Sequence, residues 1–146
     1  MSIKNTQDWF REAVPNPDNR TLAVQLGCHF EEVAEMLEAL TIRDIHGDPS
    51  LYRYAKDAME SLADALKNGQ CSVAGINSLM LLDSLTDQQV TGIGVGYMLG
   101  FDMEGALNEV NRSNWSKFED GKTVFNEHGK IAKGKDYTPP NLEPYL

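Results

Sequence analysis

The sequence predicts an all-α fold, and three observations carry that expectation. Apolar residues recur at three- and four-residue spacing through several long stretches. Asp, Asn, Gly and Pro fall at the ends of those stretches, where helices start and stop. Only one short segment near the C-terminus reads as strand and turn. The expected architecture is a single four-helix-bundle-like domain over 1–146, with its core at about 20–118 and a small hairpin and extended tail at 119–146. A chain of 146 residues is long enough to bury a proper core.

Each element has a local reason. A short helix is expected at roughly 5–13, ended by Pro15 and Pro17. From Thr21 to about Leu40, Leu22, Leu26, Phe30, Val33, Met36, Leu37 and Leu40 keep helical period. Asp48-Pro49 resembles an N-cap followed by a first-turn proline, and the helix it opens stops at Asn68-Gly69. Ser72 is placed to cap the longest helix, which runs to Gly100, and Asp102 to cap a last one over about 103–117. Thr123-Val124-Phe125 and Lys130-Ile131-Ala132, around a turn at Asn126–Gly129, read as a hairpin, and Tyr137-Thr138-Pro139-Pro140 as extended chain. Gly92, Gly96 and Gly100 recur every fourth residue, with Gly94 between them. Each costs a helix roughly 1 kcal/mol relative to alanine, so the row implies that another backbone comes close. No GxxxxGK motif accompanies it, which argues against a phosphate loop.

Charge narrows the function classes. Twenty-two acidic against thirteen basic residues give a net charge of −9, which argues against a nucleic-acid or anionic-membrane binder. An anionic substrate stays open if metal ions reverse the local field. Cys28 and Cys71 sit in apolar stretches without zinc or CxxC spacing, as buried thiols of a reducing compartment do. The polar N-terminal segment lacks an apolar signal core, and no apolar run approaches roughly 18 residues, so a cytoplasmic location is expected.

Two acidic clusters stand out, Glu31-Glu32-Val33-Ala34-Glu35 and Asp83-Ser84-Leu85-Thr86-Asp87. Spacing of three and four puts Glu32 beside Glu35 and Asp83 beside Asp87 on their helix faces. Like charges so placed weaken a helix, and no lysine or arginine stands four residues after any of the three glutamates. A solvated acidic face is one explanation. The other is that two helices pack so that four carboxylates meet a hard, oxygen-loving cation such as Mg²⁺.

The EExxE run at Glu31–Glu35 resembles the signature of the all-α NTP pyrophosphohydrolases. This MazG-like superfamily includes dimeric dUTPases, dCTP pyrophosphatases and phosphoribosyl-ATP pyrophosphohydrolase. Leu82–Asp87, Leu99-Gly100-Phe101-Asp102, Asn111–Phe118 and the Gly129–Gly134 and Tyr137–Pro140 segments are similar to a phage- or integron-type branch, so the likeness runs from about residue 20 to the C-terminus. The superfamily's second motif is ExxD; here Ser84 or Met80 stands where its glutamate belongs, and Asp83 with Asp87 offers DxxxD instead.

The resemblance implies hydrolysis of (d)NTPs between the α and β phosphates, giving a monophosphate and pyrophosphate, as nucleotide-pool housecleaning. Mg²⁺, with Mn²⁺ as a substitute, would sit on Glu32, Glu35, Asp83 and Asp87, while Glu31 or Glu35 takes the proton of the attacking water. Asn114, Lys117 and Arg112 are the substrate contacts expected near the end of the last helix; a favourable charge at a helix C-terminus is the plainer role for the two cations. Trp9 and Phe10 could stack on a base or belong to the core, and His29, one turn before Glu32, could reach the site or simply pack. A homodimer or homotetramer is expected. Two alternatives stay open: phosphoribosyl-ATP hydrolysis, and a non-catalytic acidic helical module that binds a partner.

Overall fold

The computed structural model describes residues 2–146, and these are all-helical. In chain order they form α1 (Ser2–Ala13), α2 (Asn19–Glu38), α3 (Ser50–Lys67), α4 (Ser78–Leu99) and α5 (Met103–Trp115), then a short 3₁₀ turn at Glu143–Tyr145. The chain divides into two compact units. One contains 1–15, 74–124 and 131–146, hence α1, α4 and α5; the other contains 16–73 and 125–130, hence α2 and α3. Among the described residues no helix is long and apolar enough to cross a membrane.

The caps explain the boundaries. Asp18 opens α2: its carboxylate accepts the Thr21 N–H at 2.7 Å, and the Thr21 hydroxyl accepts the Asp18 N–H at 2.7 Å. This reciprocal pair satisfies two otherwise orphaned donors and starts the helix two residues before Thr21. The α3 start is one residue later than expected: Pro49, not Asp48, is its N-cap, and Asp48 accepts the Ser50 N–H at 2.8 Å from just outside the helix. The α4 start differs from expectation. Ser72 is not its cap; Asn77 is, accepting the Met80 N–H at 3.2 Å, and the residues between stay irregular around Gly75. Gly100 closes α4 at φ 84°, a left-handed conformation in which glycine is favoured, and Asp102 caps α5 through the Gly105 N–H at 2.9 Å.

The expected C-terminal hairpin pairs its two arms around the Asn126–Gly129 turn, but only through single bridges, without strands among the described residues. Its backbone bonds are Ala132 N–H to Val124 O at 2.7 Å, Asn126 N–H to Lys130 O at 2.9 Å, and an isolated bridge between Glu119 and Lys122. Three-residue strands with no third strand beside them cannot sustain a ladder.

In the α2/α3 unit, Ala23, Val24, Ala34, Ala63 and Leu66 form the buried seam. A Cβ on Gly27 would come within 2.8 Å of the Ala63 carbonyl oxygen, so this glycine lets the two backbones approach. That is the role expected of the α4 glycines. There, Gly96 meets only the Met103 side chain, while Gly92 and Gly94 face open space. In the other unit, α1 packs on α5 through buried Trp9 and Ala13. The fully buried Asn111 amide accepts the Thr6 hydroxyl at 2.9 Å, so the polar group inside this core is satisfied.

Candidate functional site

The EExxE run lies in the second half of α2, and its carboxylates differ in burial. Glu31 is partly buried and held by two lysines: Lys67 of α3 donates to one oxygen at 2.8 Å and Lys130 to the other at 2.6 Å. Burial pushes the Glu31 carboxyl up, but hydrogen bonds and charge from Lys130 and Lys67 outweigh it and bring the pKa down. Burial likewise opposes the Lys67 charge, and Glu31 and Asp64 prevail to raise that ammonium. The basic partners missing at helical spacing are therefore supplied from α3 and from the 125–130 segment. Arg20 binds the same segment to the end of α3, donating to the Leu66 carbonyl at 2.8 Å, to the Lys67 carbonyl, and to the His128 carbonyl at 3.1 Å. Helix-end carbonyls and a partly buried carboxylate thus anchor one loop.

Glu32 and Glu35 are exposed on the surface of α2. One turn earlier, burial pushes the Cys28 thiol up, keeping it protonated, and the His29 ring packs at a tilt 6.2 Å from Phe30. Cys71, expected buried, is exposed just past the end of α3.

Asp83 and Asp87 stand four residues apart on α4, both exposed. They belong to the unit that contains α1, α4 and α5. Among the described residues no three His, Cys, Asp or Glu side chains gather closely enough to hold a metal. The donor chemistry of each pair nevertheless suits Mg²⁺, which usually keeps several waters and takes only one or two carboxylates beside a substrate phosphate. A pair at i, i+3 or i, i+4 can supply that share.

The residues expected to contact substrate cluster at the α1–α5 contact, with different tasks. Trp9 is only 5% exposed; its N–H donates to the Asn114 carbonyl at 2.9 Å and its ring meets Phe10 and Phe118 edge-on. The plainer expectation for Trp9, a core contact, is where the structure places it. Half-buried Phe10 shares that cluster, and the Lys117 ammonium lies 5.8 Å from the Trp9 ring centroid. Arg112 grips Glu109 through two nitrogens at 2.7 and 2.8 Å and also donates to Thr138 at 2.6 Å and the Pro139 carbonyl at 3.1 Å. Its guanidinium fastens the C-terminal segment to α5. Glu109, bound by Arg112 and by the Asn141 N–H at 2.9 Å, has its carboxyl lowered to about 2.

Sequence reasoning missed Lys67, Lys130, Arg20 and Asn111. Lysines and arginines beside turns look like solvated charges, and only the packing of α3 and the 125–130 segment on α2 gives them partners. Compared with family models, with curated proteins and with solved structures, the chain gives no match.

Proposed function

We propose that this chain is a Mg²⁺-dependent nucleoside triphosphate pyrophosphohydrolase that converts (d)NTPs to monophosphates and pyrophosphate. The observation that carries the proposal is the division of labour in the EExxE run: Glu31 is committed to Lys67 and Lys130, while Glu32 and Glu35 are exposed at the helix surface. Asp83 and Asp87 present a second exposed pair of the same chemistry. Mg²⁺ taken up by the Glu32 and Glu35 pair, or by the Asp83 and Asp87 pair, would neutralise the triphosphate and orient water. Glu31, kept ionised by two ammonium groups, is a weak base, so Glu35 is the residue assigned to take the proton from the attacking water where Glu32 carries the direct metal ligation of that pair. Asn114 and Lys117 remain the proposed phosphate or sugar contacts; Arg112, with its nitrogens engaged by the tail, drops to a supporting role.

The test is pyrophosphate release by the full chain with MgCl₂ and a panel of dNTPs, with phosphoribosyl-ATP run beside them. Turnover is expected on at least one dNTP. Glu35→Gln and Asp87→Asn should each lower it by at least about 100-fold, the usual weight of a proton acceptor or a metal ligand, with helical circular dichroism unchanged. No turnover on any nucleotide, or full turnover in both variants, overturns the proposal.

A further inference from the structure

The chain has ten asparagines, and only Asn68 is followed by glycine. Glycine has no Cβ, so its backbone nitrogen is the easiest for a neighbouring side chain to approach. Asn68 is the C-cap of α3 at φ −87° and ψ −2°, and Gly69 leaves the helix in the left-handed region at φ 77°. The Gly69 N–H reaches the Leu66 carbonyl at 3.4 Å, longer than an ordinary hydrogen bond. The end of α3 therefore holds this nitrogen loosely, and helix ends fray. The Asn68 carboxamide has no hydrogen-bond partner among the described residues, so its side chain turns freely. Asn126 differs, because its side-chain oxygen accepts the His128 N–H at 3.0 Å and the Lys130 N–H at 2.9 Å.

We propose that Asn68 is a site of spontaneous deamidation, and that the carboxylate formed there loosens the 125–130 loop. Fraying that changes ψ at Asn68 brings the Gly69 nitrogen to the Asn68 side-chain carbonyl carbon. Hydroxide removes the Gly69 amide proton, and the nitrogen attacks that carbon to form a cyclic imide. The bond from the carbon to the side-chain nitrogen breaks, and that nitrogen takes up a proton and leaves as ammonia. Water then opens the ring at either carbonyl, giving aspartate at one and isoaspartate at the other. Nothing is oxidised or reduced. Asp120-Gly121 has the same spacing, but a carboxyl group must expel hydroxide where the amide expels ammonia.

Arg20 is the target of the new charge. A Cβ on Gly69 would lie 3.8 Å from an Arg20 guanidinium nitrogen. Arg20 donates to the neutral carbonyls of Leu66, Lys67 and His128. A charged acceptor binds a guanidinium roughly twice as strongly as a neutral one, so a carboxylate at residue 68 draws Arg20 away from them. His128 is the acceptor that belongs to a distant segment, and losing it removes a tie that holds the loop beside the Lys130–Glu31 bond. Asn68, Gly69 and Arg20 have no part in the proposed hydrolysis, so the inference stands apart from that reading.

Incubating the full chain in mildly alkaline buffer and mapping its peptides by mass spectrometry tests the chemistry. A form about 1 Da heavier is expected, with the change at Asn68 and both aspartate and isoaspartate present. No conversion at Asn68, or faster conversion at another asparagine while the chain stays helical by circular dichroism, overturns the inference. Limited proteolysis reads the consequence. Asn68→Asp, which carries the charge from the start, should be cut within 125–130 about fivefold faster than Asn68→Ser, the population change made by losing one hydrogen bond. The deamidated wild-type chain, separated by anion exchange, should show the same increase over the fresh chain. Equal cutting in both comparisons overturns the inference.

Discussion

Glu31 ties three segments together: α2, α3 through Lys67, and the 125–130 loop through Lys130. Its pKa is lowered in the folded chain, so its contribution to stability is present above the ordinary carboxylate pKa and fades as pH falls through the folded value. Lys67 has the opposite sign: its raised pKa contributes below the ordinary ammonium value and is lost above the folded one. The clamp is therefore strongest from mildly acidic to moderately alkaline pH. Glu31→Gln is expected to cost about 1–2 kcal/mol at pH 7 in urea denaturation, with the gap to wild type closing as pH falls below the ordinary carboxylate range and the native carboxyl protonates. Arg112 and Glu109 make a second clamp. Because Arg112 reaches both Thr138 and Pro139, Arg112→Ala should free the C-terminal segment, and limited proteolysis should cut beyond residue 133 faster than in wild type while α5 persists. With the Glu109 carboxyl at about 2, this clamp should survive acidification to near pH 3.

The helices separate glycines that look alike in sequence. Gly27 has the Ala63 carbonyl oxygen at 2.8 Å from where a Cβ would sit, and that backbone atom cannot move aside as a side chain could. Gly27→Ala is expected to destabilise the α2/α3 unit by about 1–3 kcal/mol through overpacking. Gly92→Ala meets open space and should stabilise α4 by about 0.5–1 kcal/mol through helix propensity alone. Thermal melts of the two variants should move in opposite directions. Helix periodicity located all five helices, because apolar spacing reports directly on which face is covered. It could not distinguish these glycines, because the contact that gives each its role comes from another helix. The start of α4 was misplaced for a related reason: Ser72 and Asn77 are both capping residues, and the choice between them depended on where the loop after α3 ran.

The chain as a whole carries a net charge of −9, which repels a triphosphate. The proposed chemistry requires divalent cations for nucleotide binding as well as for turnover. Titration calorimetry in EDTA should therefore show no dNTP binding, with binding restored by excess MgCl₂. Equal binding in EDTA would remove the cation from the mechanism. The two compact units each keep a buried seam of their own, one built on α2 and α3 and the other on α1 and α5.

Local pattern was enough to determine the all-α class, the order of the helices, the Asp102 cap and the carboxylate pair on each of two helices. These follow from spacing of three and four along one segment, which any helix converts into a shared face. Packing decided which carboxylates are exposed. Glu31 and Glu32 are neighbours in sequence with identical chemistry; α3 and the 125–130 loop bring lysines to Glu31, while Glu32 stays at the surface. Trp9, whose ring could stack on a base or, more plainly, fill a core, is buried for the same reason, by α5 lying against it. A side chain's task depends on what lies across from it, and residues distant along the chain supply that only once it has folded.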